Sequence, residues 1–183
     1  GRLAELDLEP WQQQLQRLAG DDPGGSARQT LSGVDLSIGK LKGFGQTLSQ
    51  AVVRLDRGGN AWNLRLDSLE VIGNARIPDA KGVPIVVNLP TIHLPPADPA
   101  EATSPDAPDP LASVDPRKIP ALDVHIDQVR RGDKVLGAWS LKVRPEAQGV
   151  RFDELDLDLQ GLKIGGSAGW RGEPGNSSSW YKG

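Results

Sequence analysis

Leu122-Asp123-Val124-His125-Ile126-Asp127 decides the fold. Apolar and polar residues alternate strictly, which is the period of a half-buried β-strand and not of a helix. Leu122, Val124 and Ile126 share one side, and Asp123, His125 and Asp127 share the other. The same rhythm runs outward in both directions. Downstream, Trp139, Leu141 and Val143 alternate with Ser140 and Lys142, and Leu155, Leu157 and Leu159 alternate with Asp156 and Asp158. Upstream, Val34, Leu36 and Ile38 alternate with Asp35 and Ser37. Val53 and Leu55 flank Arg54, and Trp62, Leu64 and Leu66 flank Asn63 and Arg65. Val83, Ile85, Val87 and Leu89 continue the series. The pattern predicts a mainly β chain of long antiparallel strands forming a curved sheet with one continuous apolar face. After Gly161 the apolar parity shifts to Leu162 and Ile164, and a bulge at Gly161 is expected to restore that face.

The rest of the chain divides around these strands. Residues 1–30 read as a short strand, then a helix over 10–19, then a loop. Pro10 suits a first helical turn, Trp11, Leu15 and Leu18 form one stripe, and Gly20 suits the stop. Residues 31–94 and 121–172 are the two strand-rich segments. Residues 95–120 are rich in Pro, Ala and Asp and read as an exposed loop without a sheet ladder. Residues 173–183 read as a polar tail, loose or cut through a hairpin. The chain has no methionine and is read as a segment of a longer polypeptide.

The two strand-rich segments resemble each other. Val34 falls on Leu122, Leu48 on Leu136 and Val53 on Leu141, an offset of 88 positions. Beyond the following hairpin, Leu69 falls on Leu155 and Val71 on Leu157, an offset of 86. Two explanations stand open: true repetition, or shared strand patterning, which by itself produces part of the match.

Composition excludes several classes of function. The net charge of −3, with basic residues scattered singly apart from Arg130-Arg131, opposes nucleic-acid binding. There is no cysteine, so disulfides, thiolate metal sites and cysteine nucleophiles are out. No catalytic residue, metal ligand or cofactor is assigned. His93 and His125 are the only histidines. Asp123, His125 and Asp127 share a polar face that solvation explains better than a metal does. Neither histidine lies in a nucleophile-elbow context. Arg131-Gly132-Asp133 reads as a charged turn, and the carboxylates from Asp153 to Asp158 as a wet outer face.

One short helix cannot cover the strands of such a chain. The sheet folds on itself, pairs with another sheet, or leaves its apolar face to a ligand. The candidate lining of that face is Val34, Leu36, Ile38, Val53, Leu55, Trp62, Leu64, Leu66, Ile85, Val87, Leu89, Val124, Ile126, Trp139, Leu141, Val143, Leu155, Leu157 and Leu159.

Particular phrases carry a family resemblance. Ile119-Pro120-Ala121-Leu122-Asp123-Val124-His125-Ile126-Asp127-Gln128-Val129, followed by Gly132, Leu136-Gly137 and Trp139, resembles the strand phrases of the AsmA-like superfamily, its YhdP-type envelope proteins above all. Val87-Asn88-Leu89-Pro90-Thr91-Ile92-His93-Leu94 and Leu155-Asp156-Leu157-Asp158-Leu159 are similar to them too. These phrases are degenerate strand patterns spread over most of 31–172. The resemblance implies a taco-like β-groove, part of an inner-membrane-anchored periplasmic protein, that carries phospholipid acyl chains between the inner and outer membranes. It implies no catalytic residues. Its implied partners are phospholipid acyl chains and flanking segments of the same large protein, with membrane contact made by parts outside this stretch. A closed β-sandwich that serves as a protein-interaction module is the alternative reading.

Overall fold

The structure, a computed structural model, describes residues 1–7, 33–43, 46–94 and 114–183. The helix expected over 10–19 and most of the loop expected over 95–120 lie outside the described residues. What is described is almost entirely β, as the alternation requires. The one helical element among the described residues is a 3-10 turn, Pro116–Lys118. The chain divides into two compact units, Gly1–Asp79 and Ala80–Gly183.

The first unit holds β1 (Arg2–Asp7), β2 (Gly33–Gly43), β3 (Gln46–Gly58), β4 (Ala61–Asp67) and β5 (Val71–Pro78). Each strand pairs with the next in chain order. The β2–β3, β3–β4 and β4–β5 pairs are antiparallel, as expected from short connections. The β1–β2 pair is parallel, which corrects the wholly antiparallel reading. The chain between Asp7 and Gly33 is long enough to return to the end where β1 began, and a parallel pair requires that.

The second unit holds β6 (Ile85–Leu94), β7 (Leu122–Arg131), β8 (Lys134–Glu146), β9 (Gly149–Leu159), β10 (Leu162–Glu173) and β11 (Asn176–Lys182). It repeats the scheme. β6 and β7 are parallel across a long connection, and the pairs that follow are antiparallel. Val83, read as the start of a strand, lies before β6 and is 49% exposed.

Register makes the repeat explicit. Val34 faces Leu55 and Leu36 faces Val53 in β2–β3. Their counterparts 88 positions on, Leu122 with Val143 and Val124 with Leu141, face each other in β7–β8. The offset of 88 persists through the next hairpin, where Arg57 faces Trp62 and Pro145 faces Val150. The expected drop to 86 is therefore wrong. Val53 meets Leu66 and Leu141 meets Leu155, so the offset rises to 89. The cause is one extra residue in β9 around Asp153-Glu154. Both neighbours of β9 register it: between Lys142 and Val143 on one side, between Gly166 and Ala168 on the other. Leu69, once aligned with Leu155, lies between β4 and β5 and is 58% exposed.

Gly161 is also not a bulge. Leu159 pairs with Leu162 and Leu157 with Ile164, so Gln160-Gly161 is a two-residue hairpin turn. Both residues have positive φ, 45° and 107°, as this kind of tight turn demands. Reversal about an even-length turn moves apolar residues from odd to even positions while keeping them on one face. The tail also pairs: Asn176–Lys182 runs antiparallel to β10. Gly169 makes room for it, because a Cβ there would collide with the Trp180 indole.

The connection after β4 is pinned to β3. The Ser49 N–H donates to Glu70 Oε2 at 2.7 Å, and the Leu69 N–H donates to the Ser49 carbonyl at 3.2 Å. Ser68, 7% exposed, closes the bend by exchanging hydrogen bonds with Val71. Burial pushes the Glu70 carboxyl up, but hydrogen bonds from Ser49 and Ser68 outweigh it and leave the group below the usual glutamate range. A depressed carboxyl contributes stability above its unfolded pKa and loses it as pH falls through its folded pKa. Glu70→Gln is therefore expected to lower stability at neutral pH by about 0.5–1 kcal/mol, a figure discounted for solvent screening. In urea melts the deficit should shrink toward zero as the parent is acidified below the glutamate range; a pH-independent deficit contradicts the account.

Candidate functional site: a half-buried apolar face

Ladder pairing sets apolar side chains beside one another from strand to strand. In the first unit, Leu36, Val53, Leu66 and Gly73 form one row across β2–β5. Val34, Leu55, Leu64 and Ala75 form the next. In the second unit, Val87, Val124, Leu141, Leu155 and Gly166 form a row across β6–β10. Leu89, Ile126, Trp139, Leu157 and Ile164 form its neighbour. These rows run perpendicular to the strands at the ladder spacing of about 4.8 Å. All the sequence-chosen lining residues lie in described strands, and register places those of each unit on that unit's apolar face. Leu159 pairs with Leu162 at the β9–β10 turn, and Ile85 with Leu122 at the start of β7.

Their exposure is characteristic. Of the candidate lining, only Ile38 (2%), Ile126 (6%) and Val143 (3%) are buried; every other member is half-buried. Neighbours within the sheet shield the flanks of these side chains and leave their tips open. Such tips hold the apolar area that a ligand removes from water, at about 25 cal/mol per Å².

Two members sit in special surroundings. Trp62 lies under the Arg57 guanidinium, whose carbon is 5.3 Å from the ring centroid. Asp79 holds that guanidinium with Oδ1 at 2.6 Å from Nη1 and a second contact to Nη2. Trp139 carries a buried indole N–H with no acceptor among the described residues.

The face has one discontinuity that alternation did not disclose. Ile38 and Leu41, three apart, are both buried in one cluster with Ala51, Leu6 and Leu48. The strand phase shifts between them, opposite Gln50 with its φ of 53°. The counterparts Ile126 and Val129 repeat the shift, with a register irregularity between them, and Val129 is fully buried. Leu41 and Val129 were missed because a strict period of two puts them on the polar side. Repetition of the same broken step 88 positions apart was the available signal.

The opposite face is polar in both units. Arg54 pairs with Asp35 at 3.0 Å, Lys142 with Glu154 at 2.8 Å and Lys163 with Asp158 at 3.7 Å. Asp123 Oδ1 lies 2.7 Å from Arg144 Nη2, close but off the direction of a hydrogen bond. His125 bridges Ser140 Oγ (2.7 Å from Nδ1) and Asp127 Oδ1 (3.0 Å from Nε2). The imidazole leans along the strand to reach Asp127, two residues on. The Ser140–His125–Asp127 chain stands on an exposed strand surface, edging a shallow depression of about 230 Å³. The strands on both sides are paired in the ladder, and Asn88 and Lys142 line the same depression. No group of three His, Asp or Glu among the described residues could hold a metal ion.

The orphan indole N–H generates a prediction. A buried donor without a partner costs about 1–3 kcal/mol. Trp139→Phe removes the donor and keeps most of the ring, so its thermal stability should stay within about 1 kcal/mol of the parent. Trp139→Ala, which also removes the ring, should lose about 3 kcal/mol. Equal losses in the two variants would show that the N–H has an acceptor.

No helix among the described residues is long and apolar enough to cross a membrane. No curated protein and no solved structure matches the chain significantly. The model of the family described as YhdP protein matches residues 1–183. Strand-on-strand repetition and an unbroken family match lead to one conclusion: this chain belongs to the YhdP protein family of bacterial envelope proteins.

Proposed function

We propose that this chain is a section of a periplasmic lipid conduit, moving phospholipids between the inner and outer membranes with their acyl chains on the apolar β-face. The observation that carries the reading is the half-burial of the lining rows. In a closed sandwich these side chains are interdigitated with those of a second sheet and lose their exposure. Here each unit's strands form one paired layer with a face that keeps apolar area open to solvent. Family membership supports the same reading. Acyl chains are uniform and apolar, so rows of Leu, Val and Ile hold them without specific polar contacts. The polar face, laced with ion pairs, keeps the other side wet.

Transport of this kind breaks no covalent bond, and the proposal assigns the chain no catalytic group, cofactor or metal. Flanking segments of the same large protein carry the path onward, and membrane contact belongs to them.

A photo-crosslinking residue at Leu64, Leu141 or Leu157 of the full-length protein is expected to capture phospholipid in cells. The same probe at Asp123, Ser140 or Asp158 is expected to capture none, since alternate side chains point to opposite faces. Leu141→Asp should cost only about 1–2 kcal/mol, because an open face hydrates the charge, and should block lipid capture downstream. In a closed interaction module the same charge is buried without a partner and costs more than about 4 kcal/mol. Absence of adducts from the apolar set, together with collapse of Leu141→Asp, selects that module instead. His93→Ala and His125→Ala should leave lipid capture at parental levels; loss of capture in a folded His125→Ala protein would reveal a chemical role for the Ser140–His125–Asp127 chain.

A further inference from the structure

Residues 114–121 lead the chain into β7 and are held in place. Asp115 caps the 3-10 turn, its Oδ1 accepting from the Arg117 backbone N–H at 3.0 Å and from Arg117 Nε at 2.9 Å. Its Oδ2 accepts from Nη2 at 3.0 Å. The remaining guanidinium nitrogen, Nη1, reaches Glu173 on β10 at 2.9 Å. The guanidinium beside Asp115 holds that carboxyl below the usual aspartate range, so the clamp persists into mild acid. The Ala121 carbonyl then accepts from the Ile85 N–H at 2.8 Å.

The turn packs against β8, β9 and β10. Pro116 is among the most fully buried side chains of the described structure. Burial deepens locally at the same strand ends. On the apolar face Val143 is 3% exposed and Val150 0%. Phe152, which faces Val143, and Leu141 and Leu155 in the next row are half-buried like the rest of the lining. On the polar face at this end the Arg151 and Arg171 side chains are 48% and 47% exposed and those of Arg144 and Glu146 29% and 25%, while Pro145, the apolar-face partner of Val150, is exposed. The turn therefore meets β8, β9 and β10 at the end where Val143 and Val150 are buried.

We propose that residues 114–121 form an end-stop on the second unit: they close its apolar face at the β8–β9 hairpin and confine an acyl chain to the rows through Leu141 and Trp139, so that it lies across the strands and cannot pass over Val143 and Val150. This rests on the lipid-conduit reading. An uncovered face accepts a chain in either direction. A face closed at one end favours the direction of the rows, which is the direction that leads from strand to strand.

The chain has no cysteine, so single thiols report on access without a background. In the full-length protein, with any cysteines elsewhere replaced, Leu141→Cys should react with a maleimide roughly tenfold or more faster than Val150→Cys. Adding Arg117→Ala should speed Val150→Cys toward the Leu141→Cys rate. Glu173→Gln, which loosens one contact only, should give an intermediate rate in a protein that keeps its parental melting temperature. In parallel, a photo-crosslinker at Leu141 should capture phospholipid and one at Val150 should not, unless Arg117→Ala is added. Equal capture at Leu141 and Val150 in the parent overturns the end-stop and leaves the conduit reading standing. Slow Val150→Cys labelling without lipid capture at any row position keeps the closure and overturns the conduit reading. Fast parental labelling of Val150→Cys overturns the end-stop directly.

Discussion

The inter-strand backbone ladder is the interaction on which everything else here depends. In a two-layer domain, side-chain packing between layers fixes the structure and the ladder follows. Each unit here has a single layer whose lining is mostly half-buried, so cross-strand pairing carries a larger share of the organisation. Every row on the apolar face is a consequence of register: Val124 lies beside Leu141, and Leu141 beside Leu155, because their backbones are paired. A one-residue slip would turn the apolar set of a strand to the polar side.

The same dependence explains the repetition. When the ladder is the organising element, the natural unit of extension is a set of strands with its own register, copied in chain order. The β2–β3 and β7–β8 hairpins share their register at an offset of 88 positions on both sides of Leu41 and Val129, and the buried pairs Ile38–Leu41 and Ile126–Val129 recur at that offset, although only β7–β8 breaks its ladder there. Recurrence of a buried pair three residues apart argues that more than an alternating pattern is shared. The parallel entries β1–β2 and β6–β7 complete each copy.

A face built this way has its polar chemistry on the far side. Arg54–Asp35, Lys142–Glu154 and Arg144–Asp123 form between neighbouring strands, where solvent screens them and each contributes little to stability. Their worth is directional: a row of charges cannot be turned inward, so they hold the apolar side to its orientation. Arg57 and Arg117 act differently. One caps Trp62 at the end of an apolar row, and the other ties the entering chain to β10.

The amino-acid sequence by itself determined the fold class and which residues of a strand share a face, because side-chain direction alternates along it except where the phase breaks, as at Leu41 and Val129. It also determined the offset of 88 as far as Val53 and Leu141, where no insertion intervenes. Tertiary structure alone decided what depends on partners distant along the chain. The parallel pairings at β1–β2 and β6–β7 are one case, since alternation is the same for either strand direction. The extra residue at Asp153-Glu154 is another, since a bulge exists only relative to the strands beside it. Gln160-Gly161 is a turn and not a bulge because Leu159 meets Leu162, and no local pattern separates the two. The docking of the polar 176–182 strand and the burial of Pro116 follow the same logic: their own side chains carry little apolar signal, and the surface that receives them is assembled from strands elsewhere in the chain.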